Sequence, residues 1–439
     1  MPSGRGGPIL VSLKVVLCDG RTGVCVICRE IVMQMKKSHR ASCWSGIVGK
    51  GAGDLQKVIA LVGDQAAPLL LLAAVMEEEF EIHIISTAER RDKAEYVKEA
   101  LEDFSKVRER YIHEAAYNDM GRTSRLAAEL IGDGQGWVVD ITGGTKLMAL
   151  GLFSAARNSK ATIVYVDTAG KTILNVTEPT QQQVFCQGFH QPISYKTIFK
   201  AYGKWAQEEE SIAEEAVMRS LLDYISANVR RWSEFWQWYS GLQQNRSQQA
   251  KRSPLPAKYL SDGNKQVLTF LQKLGWMCIE ERKGQQVFYP CEDKVADYLR
   301  RGSWLEDLVH YKLCRQFGEV RKNISIFVPK SQLPTEEAEG WYKENEVDVL
   351  VNENGRLVFI ECKAGQGKSA IGSIANELPK IENVPTKSAG YFAKSAIVVA
   401  FSREKLSQEF AEKARRAKIQ VFCVEEIGKL SQHVKALLG

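Results

Sequence analysis

Three acidic residues and a lysine lie close together in two valine-rich stretches that an Asn-Gly pair separates. They are Glu346, Asp348, Glu361 and Lys363. Ionised side chains are costly to bury, so buried strands carry them where something compensates the charge. Carboxylates bind divalent cations, and a lysine beside them can stabilise the charge of a phosphate. The stretch 345–363 is therefore the first candidate for catalysis.

A hairpin turn at Asn354-Gly355 would set these side chains against one another. Both residues accept the positive φ that a two-residue type I′ turn requires. The register outward from the turn opposes residues in pairs: Leu350 and Phe359, Asp348 and Glu361, Glu346 and Lys363. Since side chains alternate, the charged residues share one face, and a one-residue slip would destroy this segregation. The other face is apolar: Val347, Val349, Val351, Val358, Ile360 and Cys362.

The opposition of Asp348 and Glu361 predicts a metal site. Two ionised carboxylates at ~5 Å repel by about 3 kcal/mol at an effective dielectric of ~20. A divalent cation would offset this repulsion, and Mg²⁺ and Mn²⁺ favour such oxygen ligands. Lys363 would then orient an attacking water or stabilise phosphate charge. The alternative is a surface cluster of cross-strand salt bridges, which leaves the pair Asp348 and Glu361 unexplained.

This arrangement resembles the active site of the PD-(D/E)xK nuclease superfamily. Asp348 matches the first acid, and Glu361-x-Lys363, beginning thirteen residues later, matches the E-x-K motif. Val347 stands where the family usually has proline. Glu306, in GSWLEDL, resembles the acid that these nucleases often carry on the preceding helix. The resemblance implies that all four residues are catalytic, that Glu306, Asp348 and Glu361 hold Mg²⁺ or Mn²⁺, and that phosphodiester bonds are hydrolysed.

The first half of the chain alternates short apolar stretches with helical ones. Buried strands are expected at 57–63, 81–86, 136–141 and 161–167, and helices near 66–79, 89–104, 118–131 and 145–158. This alternation predicts βαβ crossovers and a mainly parallel, doubly wound sheet. The stretch 171–176 would add a hairpin strand.

The turn DITGGTK (140–146) follows one of these strands and opens a helix. Gly143 and Gly144 let the backbone approach a ligand closely, and Lys146 adds positive charge. With the free N–H groups of a helix start, these features favour an anion such as phosphate. In a doubly wound sheet the other loops at the carboxyl ends of strands lie at the same edge. The alternative is a tight turn in which Asp140 and Thr142 only cap a helix.

This turn also resembles that of the CARF domain, the CRISPR-associated Rossmann fold. With the nuclease motifs, residues 57–439 resemble the CARF-nuclease effectors of type III CRISPR systems. The resemblance implies a homodimer with one composite pocket for a cyclic oligoadenylate, usually cyclic tetra-adenylate, whose binding activates the nuclease. The ligand contacts that it implies are Asp64, Gln65, Thr87, Gly144, Thr145 and Lys146.

An α/β chain of four segments is expected. Residues 1–56 are an N-terminal extension, 57–183 a Rossmann-like CARF domain, 184–301 a helical and winged-helix-like region, and 302–439 an α/β/α restriction-endonuclease-like nuclease domain. In the third segment Trp232, Phe235, Trp236 and Tyr239 share one helical face, which is more typical of a core or a dimer interface than of a nucleobase-stacking platform. The polar stretch 241–263 is interpreted as a mobile loop.

Composition agrees with an ordinary soluble protein. Of the 439 residues 44% are hydrophobic and 26% charged, and the net charge of +6 permits nucleic-acid binding without arguing for it. No apolar run is long enough to span a membrane. Ten cysteines without export features suggest reduced thiols in a prokaryotic cytoplasm. The spacing of Cys25, Cys28, His39 and Cys43 has zinc-like ligand types, or is accidental.

The sequence thus predicts a metal-dependent nuclease for DNA, RNA or both that is gated by a cyclic oligoadenylate. Two alternatives remain open. One is a non-catalytic regulator in which the Rossmann domain controls a winged-helix DNA reader. The other is a restriction or repair nuclease with a merely structural first domain.

Overall fold

The computed structural model describes residues 55–168, 172–177, 191–208, 215–244, 254–256, 260–330, 340–365, 367–390 and 393–438. All of them belong to one compact unit of the chain. The zinc-like spacing, and all but the last two residues of the predicted extension 1–56, lie outside the described residues. Within the described part, no helix is both long and apolar enough to cross a membrane.

The first sheet has six strands in the order β3-β2-β1-β4-β5-β6. Strands β1 to β5 run parallel and β6 closes the edge antiparallel to β5. The strands are β1 Gln56–Leu61, β2 Phe80–Ser86, β3 Val107–Glu114, β4 Trp137–Asp140, β5 Thr162–Asp167 and β6 Thr172–Asn175. The helices are α1 Ala67–Val75, α2 Arg91–Ala100, α3 Met120–Ile131, α4 Lys146–Arg157 and α5 Tyr195–Ala201.

This sheet confirms the predicted doubly wound α/β fold. Each predicted strand and helix of the first half is present, and the antiparallel β6 is the expected hairpin strand. Strand β3 was missed. Its sequence VRERYIHE is mostly polar, because β3 is an edge strand with exposed and half-buried side chains.

The middle region contains helices and a small antiparallel sheet in the order β8-β10-β9. Trp232, Phe235, Trp236 and Tyr239 are all buried, which favours the core interpretation over an interface. A short strand lies inside the stretch predicted as a loop. The elements are α6 Glu215–Ala227, α7 Val229–Gln244, β8 Leu255–Pro256, α8 Asp262–Lys273, β9 Met277–Arg282, β10 Gln285–Pro290 and α9 Asp293–Arg301.

A disulfide joins Cys278 and Cys291 in this region, so the expectation of reduced thiols is wrong for this pair. The register of β9 and β10 explains the contact. Cys278 is paired with Tyr289, and the chain then turns so that the backbone N–H of Cys291 donates to the carbonyl of Trp276 at 3.0 Å. The two Cα atoms are 5.3 Å apart, within the usual range for a disulfide.

The third sheet has the order β15-β14-β13-β12-β11-β7. Its strands are antiparallel from β7 to β13 and parallel from β13 to β15. The strands are β7 Trp205–Glu208, β11 Glu319–Pro329, β12 Trp341–Glu353, β13 Arg356–Lys363, β14 Lys394–Val399 and β15 Ile419–Cys423. The helices are α10 Trp304–Cys314, α11 Gly367–Ala389, α12 Gln408–Arg416 and α13 Leu430–Leu438.

Helices cover both faces of this sheet. Val349, Val351, Val358 and Ile360 are completely buried in a core shared with α7, α10 and α13, which confirms the predicted apolar face. On the opposite face, Ile374 and Leu378 of α11 pack with Ile397 and Val399 of β14. The sheet is thus a layer between helices, which agrees with the α/β/α arrangement predicted for residues 302–439.

Helix α11 continues through two prolines, Pro379 and Pro385. A proline has no N–H for the carbonyl four residues earlier. For Pro385 that carbonyl belongs to Ile381, and it accepts a hydrogen bond of 2.8 Å from the hydroxyl of Ser395 on β14 instead. A side chain of the sheet therefore compensates the helix for its missing backbone bond.

Candidate active site and ligand site

The hairpin of β12 and β13 turns at the predicted residues. Asn354 and Gly355 have φ values of 51° and 80°, as a type I′ turn requires. Asn352 fixes the turn, since its side-chain oxygen accepts from the N–H of Gly355 at 3.0 Å and its amide donates to the carbonyl of Ile193 at 2.6 Å. The ladder keeps the predicted register from the turn as far as Val349.

Beyond Val349 the predicted oppositions are not formed. The carboxylate of Asp348 accepts a hydrogen bond of 2.6 Å from the backbone N–H of Cys362, so a side chain takes the place of a strand carbonyl and the ladder ends. Glu346 pairs with Lys343 at 2.9 Å and not with Lys363. The acids still gather at this end of the hairpin, but the backbone ladder does not hold them there.

Lys363 lies between two carboxylates. Its ammonium nitrogen is 2.7 Å from Glu361 and 2.9 Å from Glu377 on α11. Burial alone would lower the pKa of Lys363, but the two carboxylates outweigh it and raise the pKa above its usual value. Lys363 is therefore a fixed positive charge beside the predicted metal ligands. Glu377 was not found from the sequence, because its contact depends on how α11 packs.

Glu306 lies in the first turn of α10, where the helix N-terminus favours negative charge. Burial raises its pKa to about 7, and repulsion from Asp307, Glu346 and Glu361 adds to the effect. Its neighbour Asp307 is engaged elsewhere, in a hydrogen bond of 2.9 Å from the hydroxyl of Tyr298 and an ion pair with Lys322. The structure thus brings Glu306 into the same electrostatic cluster as the hairpin acids.

The pKa of Asp348 is also raised well above its usual value, first by burial and then by repulsion from Glu361 and Glu306. Glu306, Asp348 and Glu361 together supply hard carboxylate oxygens, the kind of ligand that Mg²⁺ and Mn²⁺ prefer. In the arrangement seen among the described residues, no three His, Cys, Asp or Glu side chains converge as a metal site. Instead, the carboxylate of Asp348 accepts a hydrogen bond from the backbone N–H of Cys362, and the carboxylate of Glu361 forms an ion pair with Lys363.

A small crevice opens beside these acids. Its volume is about 20 Å³, and its charged lining residues are Glu346, Glu361 and Lys380 of α11. This is room for one water molecule or one ion. Of the three predicted metal ligands only Glu361 is among its lining residues, so the crevice borders the cluster and does not enclose it.

In the first domain, the loops after β1 and β4 touch. A Cβ on Gly143 would lie 1.9 Å from the carbonyl oxygen of Leu61, and one on Gly63 would lie 3.0 Å from the amide nitrogen of Gly144. Thr145 caps α4, since its hydroxyl accepts from the N–H of Met148 at 3.2 Å, and Lys146 beside it is exposed. The predicted close approach of the backbone at the glycine pair is therefore present.

Asp140 and Thr142 stabilise the same turn without capping the helix. The buried carboxylate of Asp140 accepts from the N–H of Thr142 at 2.9 Å and from its hydroxyl. Burial raises the pKa of Asp140 to about 6, although these hydrogen bonds oppose the shift. The alternative that was left open for this pair, a helix cap, is wrong, because the cap is Thr145.

Asp64 and Gln65 border a pocket of about 510 Å³. The carboxylate of Asp64 is 2.8 Å from Lys93 and 3.0 Å from Arg90, and the hydrogen bond from Lys93 is the main reason why its pKa is lowered. Gln65 accepts from the hydroxyl of Tyr202 at 3.1 Å. Thr87, another predicted ligand residue, is buried.

Arg90, Lys93 and Tyr202 were not predicted. Arg90 and Lys93 follow β2, so their position after a strand could have indicated them. Tyr202 could not be found in this way, because it lies at the end of α5, far from the other two in the sequence.

Helix α11 reaches both sites. Glu377, in its middle, holds Lys363, while Thr386 and Lys387, near its end, line the pocket beside Asp64. The chain then turns at Gly390, where a Cβ would lie 2.2 Å from both Gln65 and Tyr202. One helix therefore connects the loops of the first sheet with the acidic cluster of the third.

Comparisons with known proteins agree with this architecture. The family model of the Card1 CARF domain matches residues 58–208, and that of the Card1-like endonuclease domain matches residues 293–438. A search of curated proteins gives no match.

Two solved structures show the same fold over most of the chain. Protein VC1899 from Vibrio cholerae has a TM-score of 0.69 at 15% identity, covering 87% of this chain and 97% of that one. Can2 from Sulfobacillus thermosulfidooxidans, solved in complex with cyclic tetra-adenylate, has a TM-score of 0.65 at 19% identity, covering 88% and 98%. The chain belongs to the family of CRISPR-associated nucleases that join a Card1-type CARF domain to a Card1-like endonuclease domain.

Proposed function

We propose that this protein is a nuclease of type III CRISPR defence that requires Mg²⁺ or Mn²⁺ and cuts DNA, RNA or both when a cyclic oligoadenylate is bound. The observation that carries the proposal is the electrostatic cluster of Glu306, Asp348 and Glu361 at the end of the β12–β13 hairpin, with Lys363 paired to Glu361. Burial and mutual repulsion raise the pKa of Glu306 and Asp348, which is the state of a site that a cation would stabilise.

Glu306, Asp348 and Glu361 would hold the cation. A bound divalent cation would supply Lewis-acid stabilisation of the charge that develops on the phosphate. Lys363 would provide a second positive charge at the scissile phosphate, because the neighbouring carboxylates keep it protonated. Glu377 would keep its ammonium group oriented.

The ligand site would lie at the touching loops of the first sheet. The glycine pair brings backbone N–H groups close to a ligand, and Thr145 and Lys146 add a hydroxyl and a positive charge at the start of α4. Gly144, Thr145 and Lys146 would contact phosphates, with Asp64, Gln65 and Thr87 in the adjoining loops. Can2 was solved with cyclic tetra-adenylate, and we propose the same ring for this chain.

A homodimer would complete the ligand site, since a symmetric ring is best bound on a two-fold axis. Four exposed apolar side chains support this arrangement: Tyr117, Met120, Leu147 and Leu150. They lie at and near the starts of α3 and α4, where the hydroxyl of Thr145 donates to the carbonyl of Tyr117 at 3.2 Å. An apolar patch beside the ligand loops is suited to a second copy of the chain.

A cleavage assay tests the proposal. Purified protein is incubated with single-stranded and duplex DNA and RNA, with Mn²⁺ or chelator, and with or without cyclic tetra-adenylate. Cleavage is expected with both additions present. Glu361→Gln should abolish it, while Glu353→Gln, on the same hairpin beside the turn, should not. Lys146→Ala should abolish the response to the ligand, while Lys160→Ala, just beyond the other end of α4, should not.

The contrary outcomes separate the alternatives. Equal cleavage without the ligand would indicate a nuclease with a structural first domain. Sequence-specific DNA binding that Glu361→Gln leaves intact, without any cleavage by the wild type, would indicate a regulator.

A further inference from the structure

Three aromatic side chains lie together at the open end of the third sheet, and we call them the aromatic platform: Trp205, Phe327 and Trp341. The ring centres of Trp205 and Phe327 are 5.1 Å apart, and those of Trp205 and Trp341 are 6.4 Å apart. Trp205 is 47% exposed and Trp341 is 51% exposed. Large aromatic side chains are rarely left in water together, so the platform requires an explanation.

The register places the platform on the same face of the sheet as the active site. Directly paired residues share a face, and side chains alternate along a strand. On β11, Ser325 is paired with Glu346, Phe327 with Trp205 and Lys343, and Pro329 with Trp341. The odd-numbered residues of β11 therefore share one face with Glu346, and hence with Asp348 two residues further along β12. The irregularity between Ile326 and Phe327 keeps Lys343 on that face.

The platform and the acids lie along the same strand. Trp341 and Asp348 are seven residues apart on one strand, which is about 23 Å. Stacked nucleotides advance ~3.4 Å each, so this length corresponds to about seven of them. Lys343 lies between the two sites, exposed and 2.9 Å from Glu346. The pairing of β13 with β12 ends at Val349, so that in the described structure β13 does not continue beside this part of β12.

We propose that the aromatic platform binds unpaired bases of the nucleic-acid strand whose backbone is cut at the acidic cluster. Every base has a flat face that stacks on an aromatic ring, so such a site favours single strands without requiring a sequence. In a duplex those faces are already covered by neighbouring bases. The inference rests on the proposed nuclease function and adds to it a separate binding site for unpaired bases, formed by Trp205, Phe327 and Trp341.

Two observations favour a nucleic-acid strand over a second copy of the chain. The platform is continuous with the acidic cluster along β12, and Lys343, exposed on the same face between them, is a cation that a phosphate backbone could attract from its ion pair with Glu346. Trp205 comes from β7 and Trp341 from β12, so the platform is fixed by the sheet and not by a loop.

The test measures binding separately from cutting. The affinity of the full chain for a fluorescent single strand of about 20 nucleotides is measured in chelator, so that no cleavage is needed. Trp205→Ala with Trp341→Ala should weaken binding by about tenfold or more and leave duplex binding within about twofold. Tyr342→Ala is the matched control, because Tyr342 is 51% exposed beside Trp341 but points to the opposite face. Its affinity should match the wild type.

Aromatic replacements guard against a folding defect. Trp205→Phe with Trp341→Phe should retain most of the binding, since stacking needs the ring and not the indole. An unchanged affinity in the double alanine variant, or an equal loss in Tyr342→Ala, would overturn the inference. The inference would also be overturned if the double alanine variant lost affinity because its dimer dissociates, as measured by sedimentation. That result would assign the platform to contact with a second copy of the chain. A failed cleavage assay would instead count against the proposed function and leave this measurement intact.

Discussion

The ammonium group of Lys363 is shared between Glu361 on its own strand and Glu377 on helix α11, at 2.7 and 2.9 Å. Glu361 is also a proposed metal ligand, so Glu377 is the carboxylate that holds the lysine without that second task. Because a misplaced catalytic group can cost up to about a hundredfold in rate, we expect Glu377→Gln to lower the single-turnover cleavage rate by about tenfold. Substrate and ligand affinities should not change.

Glu382→Gln provides the control for this variant, because Glu382 is an exposed carboxylate on the same helix. It should cleave at the wild-type rate. A Glu377→Gln protein with an unchanged single-turnover rate would show that Glu361 alone suffices to position Lys363.

The metal requirement should depend on pH. Glu306 has a pKa of about 7 and that of Asp348 is raised, so at lower pH a cation has to displace protons from its ligands. We expect the Mn²⁺ concentration for half-maximal cleavage to rise by up to about tenfold for each pH unit below about 7. Titrations of Mn²⁺ between about pH 6 and 8 measure this. In Glu306→Gln the slope should be shallower, and an identical slope would exclude Glu306 as a ligand.

Asp140 should make the protein less stable as pH rises. Its pKa of about 6 in the folded chain is above its ordinary value of 3.8, so the native state binds the proton more tightly than the unfolded chain does. The resulting stability is present below pH 3.8 and is lost as the pH rises through about 6. A shift of two units corresponds to about 3 kcal/mol at most.

Asp140→Asn should therefore flatten the melting temperature between about pH 4 and 6. Above that range the variant should be more stable than the wild type, by less than about 3 kcal/mol. The increase is limited because one oxygen of the Asp140 carboxylate has no hydrogen-bond partner, so the amide group of an asparagine there would also be unsatisfied. Asp133→Asn, on the surface of the same domain, should leave the pH profile as it is. A profile unchanged in Asp140→Asn would mean that the buried carboxylate does not titrate in this range.

Gly143 should be indispensable for the response to the ligand. A methyl group there would lie 1.9 Å from the carbonyl oxygen of Leu61, so the two loops would have to separate. We expect Gly143→Ala to weaken binding of cyclic tetra-adenylate by about tenfold or more, measured by calorimetry, and to lower the melting temperature. Gly121→Ala, where the nearest atom would be 3.4 Å away, should bind normally. Normal binding by Gly143→Ala would move the ligand away from this turn.

Local chemistry explains which features could be predicted from the sequence. The turn at Asn354-Gly355 follows from the φ preferences of those two residues, and the apolar face of the hairpin follows from alternation. The buried strands of the first sheet have continuous apolar sequences because they are covered on both faces. The roles of the predicted site residues stay predictions, although the structure does gather Glu306, Asp348, Glu361 and Lys363.

The errors come from contacts that local sequence does not encode. The opposition of Asp348 and Glu361 failed because a carboxylate, and not a carbonyl, accepts from Cys362. Strands β3 and β7 were missed because edge strands carry polar side chains. Glu377 and Tyr202 belong to their sites through the packing of α11 and α5, which depends on the whole fold.

Strand β7 has a consequence for anyone who would recombine these domains. It lies within the part of the chain that matches the CARF model, yet it pairs with β11 at the margin of the endonuclease sheet. A fragment that begins after Glu208 would leave the N–H and C=O groups on that side of β11 unpaired, which invites aggregation, and would also lack Trp205. A working chimera of two family members should therefore exchange its halves before Trp205, the first residue of β7, so that the endonuclease graft carries its own border strand.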